Sequence, residues 1–210
     1  MKAKQLHKLL IACLVWALLL PISPVFGTPN SGGNPESIVQ KLQNGLMHVM
    51  KEGAKLGYDG RYKYLEPVID QSHDIDMIIK TILGAAYWTQ LDDAQQAQLI
   101  ATFRQLTIAT YAGQFAAFDD EQFKFVEQRE LPREQALIRS QLITKSDGTV
   151  NFDYVLHQSD GRWLIVNILY DGVSDLAIKR TEYRAIMQKS GYQGLIEKLK
   201  EKIALARQNP

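Results

Sequence analysis

From Gln122 onward the apolar residues change from helical to alternating spacing, and this change constrains the fold more than any other feature of the chain. Phe123 to Val126, Ala136 to Thr144, Val150 to Gln158 and Arg162 to Tyr170 read as four strands. The last three are joined by Ser146-Asp147-Gly148-Thr149 and by Ser159-Asp160-Gly161. An Asp-Gly pair between apolar runs favours a tight hairpin, because both central residues must take positive φ. The expectation is an antiparallel meander. Its faces are unusual: Trp163, Ile165 and Leu169 are expected to point one way, and Leu164, Val166, Ile168 and Tyr170 the other. A sheet with one wet face alternates more cleanly. This one is either covered on both sides or lines an apolar hollow on one of them.

A helical block precedes the meander. Asn34 suits an N-cap and Pro35 the first helical position, and Ile38, Leu42, Leu46 and Val49 follow at helical spacing until the pattern ends near Gly57. Asp74 caps a shorter helix through Ile75, Ile78, Ile79 and Leu83, stopped by Gly84. Asp92 caps a long helix reaching about Phe118, with Gln95 placed for a capping box. Apolar residues of this last helix cover about half its circumference, interrupted by Arg104 and Gln114. Such a helix is buried between two neighbours, or turns part of its band toward a cavity. After Asp171-Gly172-Val173-Ser174 the chain turns helical again, capped by Ser174 or Asp175, broken at Gly191 and resumed through Leu195, Ile196, Leu199 and Ile203. Helices, then a meander, then helices describe an α+β fold in one domain: a helical layer on a curved four-stranded antiparallel sheet.

The N-terminus reads as an export signal. Lys2, Lys4 and Lys8 precede the apolar run Leu9 to Leu20, Pro21 and Pro24 follow it, and Val25 and Gly27 occupy the −3 and −1 positions of a cleavage site. The run is shorter than the roughly 20 residues that span a bilayer, which favours cleavage over a retained anchor. The expected division is a signal peptide at 1–27, a flexible tether at 28–34 and a domain at 35–210. Cleavage removes three of the 24 basic residues and none of the 23 acidic ones, leaving a net charge of −2. That balance offers no surplus to neutralise phosphates, so nucleic acid is not an expected partner. The single cysteine, Cys13, lies inside the signal, so the mature chain has neither disulfide nor reactive thiol.

Catalytic patterns are scarce. His48, His73 and His157 sit in separate segments without metal-ligand spacing. His73 with Asp74 and Asp76 is the densest polar cluster, and helix capping by Asp74 accounts for it. There is no nucleophile elbow, phosphate-cradling glycine loop or dinucleotide fingerprint. The chain is therefore read as a binding protein without catalytic residues, metal or cofactor. A curved-sheet isomerase or dehydratase and a lipid-free docking module of an envelope complex are the alternatives.

Several short segments, in order, resemble one family. Arg61-Tyr62 and Leu65-Glu66-Pro67, then Asp76-Met77, Leu83-Gly84, Tyr87-Trp88, Phe103 and Tyr111, resemble the helical half of the MlaC-type periplasmic lipid-binding proteins, the toluene-tolerance family. Gly161-Arg162-Trp163, Tyr170-Asp171-Gly172-Val173-Ser174, Arg180, Gly191 and Leu195-Ile196 resemble its C-terminal half. Ile75-Asp76 stands where the family often has Phe-Asp, and Asn167 where it commonly has aspartate. The stretch from Ser174 to Tyr183 is closer to the hopanoid-associated branch called HpnM than to the phospholipid-carrying branch.

The resemblance implies an apolar cavity between the helices and the sheet. It also implies a periplasmic carrier that shuttles a hopanoid or a phospholipid between inner and outer membrane, served by an inner-membrane transporter of RND or ABC type. A monomer is expected. The candidate cavity wall is Met77, Leu83, Phe103, Leu106 and Tyr111 from the helices, with Trp88 at the mouth. From the sheet come Ile138, Leu142, Phe152, Tyr154, Trp163, Ile165 and Leu169, with Val173 at the rim. Each of these positions also suits an ordinary core.

Overall fold

The computed structural model describes residues 33–145 and 148–208, so the signal sequence, its cleavage site and most of the tether lie outside the described residues. Among the described residues the sheet has five strands: β1 Gln122–Leu131, β2 Gln135–Thr144, β3 Gly148–Ser159, β4 Arg162–Tyr170 and β5 Val173–Ser174. They are hydrogen-bonded in sequence order and each is antiparallel to its neighbours. At the β3–β4 turn Asp160 has φ 49° and Gly161 φ 72°, the paired left-handed geometry that the Asp-Gly signal demands. The same chemistry recurs at Asp171 (φ 48°) and Gly172 (φ 82°). It folds Val173 back opposite Tyr170 and so adds a fifth strand to the four expected.

A β-bulge corrects the expected faces of β4. Asn167 pairs with Val155 and Ile165 with Leu156, so Val166 is the extra residue. One inserted residue reverses the alternation beyond it. Trp163, Ile165, Ile168 and Tyr170 therefore all belong to the inner face and join the core, while Leu169 sits opposite Asp153 on the other face. The outer face carries Arg139, bonded to Asp153 (3.0 Å) and Glu127 (2.7 Å). Strand β1 is longer than the apolar run Phe123 to Val126 suggested, because its second half is polar and exposed.

Among the described residues there are six helices: α1 Pro35–Lys51, α2 Gly53–Ser72, α3 Ile75–Leu83, α4 Ala85–Trp88, α5 Asp93–Gln114 and α6 Asp175–Gln208. The expected caps form. Asn34 accepts from the Glu36 N–H (3.1 Å), Asp74 from that of Met77 (2.9 Å), and Asp92 and Gln95 make a reciprocal capping box. Helix α2 was not evident from periodicity. Gly57 (φ 60°) kinks it, Pro67 lies inside it, and its buried stripe begins with Arg61 before Leu65 and Ile69. Arg61 is held by the backbone carbonyls of Ala112 (2.8 Å) and Gly53 (3.1 Å), which lets a cation stand in an apolar stripe. Helix α5 stops at Gln114, short of the expected Phe118, and α6 breaks at Gly191 (φ 66°) as expected.

The core runs between these layers. Val39, Leu42, Leu46 and Val49 of α1 pack with Ile138, Tyr154, Leu156 and Ile165 of the sheet. Gln43 donates to Ser140 Oγ (2.8 Å), so the polar groups at this buried contact are paired. Helix α5 lies between α2, to which Arg104 is tied through Asp70 and Glu66, and α6, where Phe103 meets the Tyr183 ring edge-on.

Candidate functional site

Strand β4 is paired with β3 along one side but only at Ile165 and at its C-terminal end along the other. At mid-strand the α2–α3 junction closes on it: His73 bridges Ile165, and the Asp74 N–H donates to the Ile165 carbonyl (3.0 Å). At the C-terminal end β5 pairs with Leu169 and Tyr170. Between these, Val166 to Ile168 line a cavity of about 340 Å³, within the roughly 300–1,000 Å³ typical of small-molecule sites. Phe103, Leu106 and Tyr111 of α5 form the facing wall, Ile78 of α3 closes one flank, and Leu176 and Lys179 of α6 close the other.

Most polar groups of this wall are hydrogen-bonded within the protein. His73 is buried. Its Nδ1 lies 2.9 Å from Ser72 Oγ and its Nε2 3.2 Å from the Tyr111 hydroxyl. Ser72 Oγ donates to the Val68 carbonyl (2.7 Å), which leaves it to accept from Nδ1–H, while Tyr111 donates to Nε2. Burial pushes the His73 pKa down to about 4, with Lys179 acting in the same direction, so the ring is neutral at pH 7. Thr107 and Thr110 donate to the carbonyls of Phe103 (3.0 Å) and Leu106 (2.8 Å) on their own helix. Asn167 Oδ1 accepts from Ser174 Oγ (3.1 Å) and the Leu176 N–H (3.2 Å), and Ser174 in turn caps α6 by accepting from the Ala177 N–H (3.1 Å). Asp175 holds the Lys179 ammonium one turn along α6. Burial raises the Tyr111 and Tyr170 hydroxyls above the usual phenol range, and Asp175 adds to the effect.

Four sequence-predicted site residues meet in this cleft: Phe103, Leu106, Tyr111 and Ile165. Leu83, Ile138, Phe152, Tyr154 and Trp163 belong to the buried core and do not line this cleft. Leu142 is half-buried opposite Val150 and Phe123, toward the far edge of the sheet. Leu169 is carried to the outer face by the bulge at Val166. Met77 borders a surface depression with Asp76, Lys80 and His157, and Trp88 lies under the Lys80 ammonium (5.4 Å to the ring centroid). Val173 is 55% exposed on β5. Sequence reasoning missed His73, Tyr170 and the Asp175–Lys179 pair. An Asp and a Lys at i and i+4 on a helix opening beside the apolar strand was the available signal for the pair. Nothing in the sequence marked His73 as a neighbour of Tyr111.

A broader surface groove of about 870 Å³ runs between α1 and β1, with Gln40, Asn44 and Met47 on one bank and Phe118, Phe123 and Phe125 on the other. Asp120, Glu121 and Lys51 interrupt it. Its mixed lining fits an apolar ligand less well than the β4 cleft, where apolar side chains come from three helices and a strand. Asp175 shares the cleft with His73, but its carboxylate is taken by Lys179 and both ring nitrogens are taken by Ser72 and Tyr111. Among the described residues no three His, Cys, Asp or Glu side chains cluster to hold a metal.

The MlaC protein family model matches residues 40–201, from α1 into the last turns of α6. Among solved structures, the phospholipid-binding protein of Ralstonia solanacearum, determined in complex with a phospholipid, is similar at a TM-score of 0.73 and 20% sequence identity. The match covers 83% of this chain and 99% of that one. No curated protein sequence matches the chain. The family match takes in both walls of the cleft and every element of the fold, and the chain belongs to the MlaC family.

Proposed function

We propose that this protein is a periplasmic lipid carrier that takes the apolar body of a membrane lipid into the cleft beside β4. The observation that carries the reading is the apolar cleft at the unpaired stretch of the strand, in a fold shared with a protein solved around a phospholipid. The energetics suit the task. Each methylene moved out of water contributes about 0.8 kcal/mol, so a sixteen-carbon chain crossing an aqueous compartment free costs roughly 10 kcal/mol or more. An apolar wall whose polar groups are mostly hydrogen-bonded within the protein offsets that cost and asks for few polar contacts from the ligand. In this reading residues 1–27 direct export and are removed, and the mature monomer exchanges a hopanoid or phospholipid with an inner-membrane transporter of RND or ABC type. No step of the cycle is catalytic.

The test is gentle purification of the exported protein from its own host, followed by mass spectrometry of an organic extract. The reading expects one lipid species, or a narrow set, in near-equimolar amount with the protein. Protein that is folded and carries no extractable lipid, and that takes up none from vesicles, would overturn it.

A further inference from the structure

The charges and hydrogen bonds of the cleft say more than that its ligand is apolar. Among the described residues that line it, Asp175 and Lys179 carry the formal charges, and they neutralise each other. The Lys179 side chain is only 25% exposed and is engaged by both carboxylate oxygens. A phosphate brought to this ammonium would stand beside a carboxylate already bound to it, two anions to one cation. No arginine lines the cleft to offer a bidentate alternative. The uncharged groups are mostly committed as well: His73 to Ser72 and Tyr111, the threonines to their own helix, and Asn167 to the cap of α6.

Two polar side chains of the lining make no hydrogen bond at all among the described residues. The Tyr170 hydroxyl borders the cleft, and no hydrogen-bond partner for it exists among the described residues. Its ring is held edge-on against Phe152 (4.9 Å between centroids), so its position is fixed. Burial and the Asp175 charge keep the phenol protonated and able to donate. Gln114, at the exposed end of α5, borders the same cleft with an uncommitted carboxamide. Both offer neutral donors and acceptors, which match an alcohol and leave a dianion unneutralised.

Resting on the lipid-carrier reading, we infer that the cleft selects an apolar ligand whose head is an uncharged hydrogen-bonding group, such as an alcohol, over one whose head is a phosphate. Tyr170 is the residue that meets the head, and Asp175 is the residue that turns phosphate away by occupying Lys179.

The test uses delipidated mature protein titrated with three probes: dioleoylglycerol, dioleoyl phosphatidic acid with the same acyl chains, and the polycyclic alcohol cholestanol. At least one alcohol binds about tenfold more tightly than phosphatidic acid, and which one does so separates a chain-like ligand from a rigid ring system. Asp175→Asn frees Lys179 and raises phosphatidic acid affinity about fivefold relative to that of the alcohols. Tyr170→Phe weakens the preferred alcohol about fivefold relative to phosphatidic acid. Phosphatidic acid binding to the wild type as tightly as the better alcohol would overturn the selectivity and leave the carrier reading intact. Failure of all three probes to bind would overturn both.

Discussion

The two edges of the sheet meet opposite conditions. Strand β1 ends the sheet in water, and it is guarded by Lys124, Glu127, Arg129 and Glu130 and by a bulge at Val126, the devices that keep an edge from pairing with another chain. Strand β4 is guarded by the protein's own backbone: the His73–Asp74 bridge at Ile165 and β5 at the C-terminal end. The cover is incomplete, and the gap is where the cleft lies. Charge protects an edge from other proteins, whereas a partial backbone cover leaves an apolar opening of defined width. The β1 edge should therefore be tolerant and functionally silent, and the β4 edge costly to alter and able to bind.

Shortening a side chain on the two edges separates them most strongly. Ile165→Ala, at a fully buried position that is both core and cleft wall, should cost about 2–5 kcal/mol by urea unfolding. A loss well below that would mean the β4 edge is as loosely held as β1. The next effect appears with pH. His73 titrates near 6.5 when unfolded and about 4 when folded, so the folded state resists protonation between those values. Stability is complete above about pH 6.5 and falls as pH drops toward 4, by up to about 3 kcal/mol. His73→Gln should flatten that part of the profile, measured by denaturant unfolding at pH 7, 5.5 and 4. An unchanged slope would place the acid sensitivity elsewhere.

Filling the cleft is expected to act on ligand more than on folding. Thr110→Trp adds bulk at a half-buried position of the α5 wall and should lower bound lipid about tenfold, equivalent to about 1.4 kcal/mol, while the protein stays folded. Leu142→Trp adds the same bulk toward the β1 side and should leave lipid content unchanged. Equal losses in both variants would erase the distinction between the edges. The smallest effect is Val126→Lys, at a 44% exposed bulge on β1, which should shift stability by no more than about 0.5 kcal/mol and leave bound lipid as it was.

Local chemistry made much of the fold legible in advance. The Asp160-Gly161 turn, the Asn34 and Asp74 caps, the Asp92–Gln95 box and the break at Gly191 each depend on residues adjacent in sequence, and each formed. Features that depend on distant partners were hidden. The α2 stripe opens on Arg61, polar by composition and buried only because carbonyls of Ala112 and Gly53 receive it. The bulge at Val166 has no composition of its own, and without it strict alternation assigns Ile168 and Tyr170 to the wrong face. The candidate site divides on the same line. Phe103, Leu106, Tyr111 and Ile165 were identifiable as large apolar side chains facing inward, but whether such a residue fills the core or walls a cleft depends on what stands opposite. Ile138 and Tyr154 meet α1 and are packed, while Ile165 lies where the cover of β4 stops.

The claim that ligand enters at the β4 gap rather than the β1 groove is tested most directly by a photo-reactive benzophenone amino acid placed in turn at Gln114, beside the cleft, and at Phe125, beside the groove. After irradiation of lipid-loaded protein, mass spectrometry of the intact chain should show a lipid adduct with the label at Gln114 and none with it at Phe125. An adduct at Phe125 with none at Gln114 would place the lipid on the opposite edge of the sheet and contradict the account.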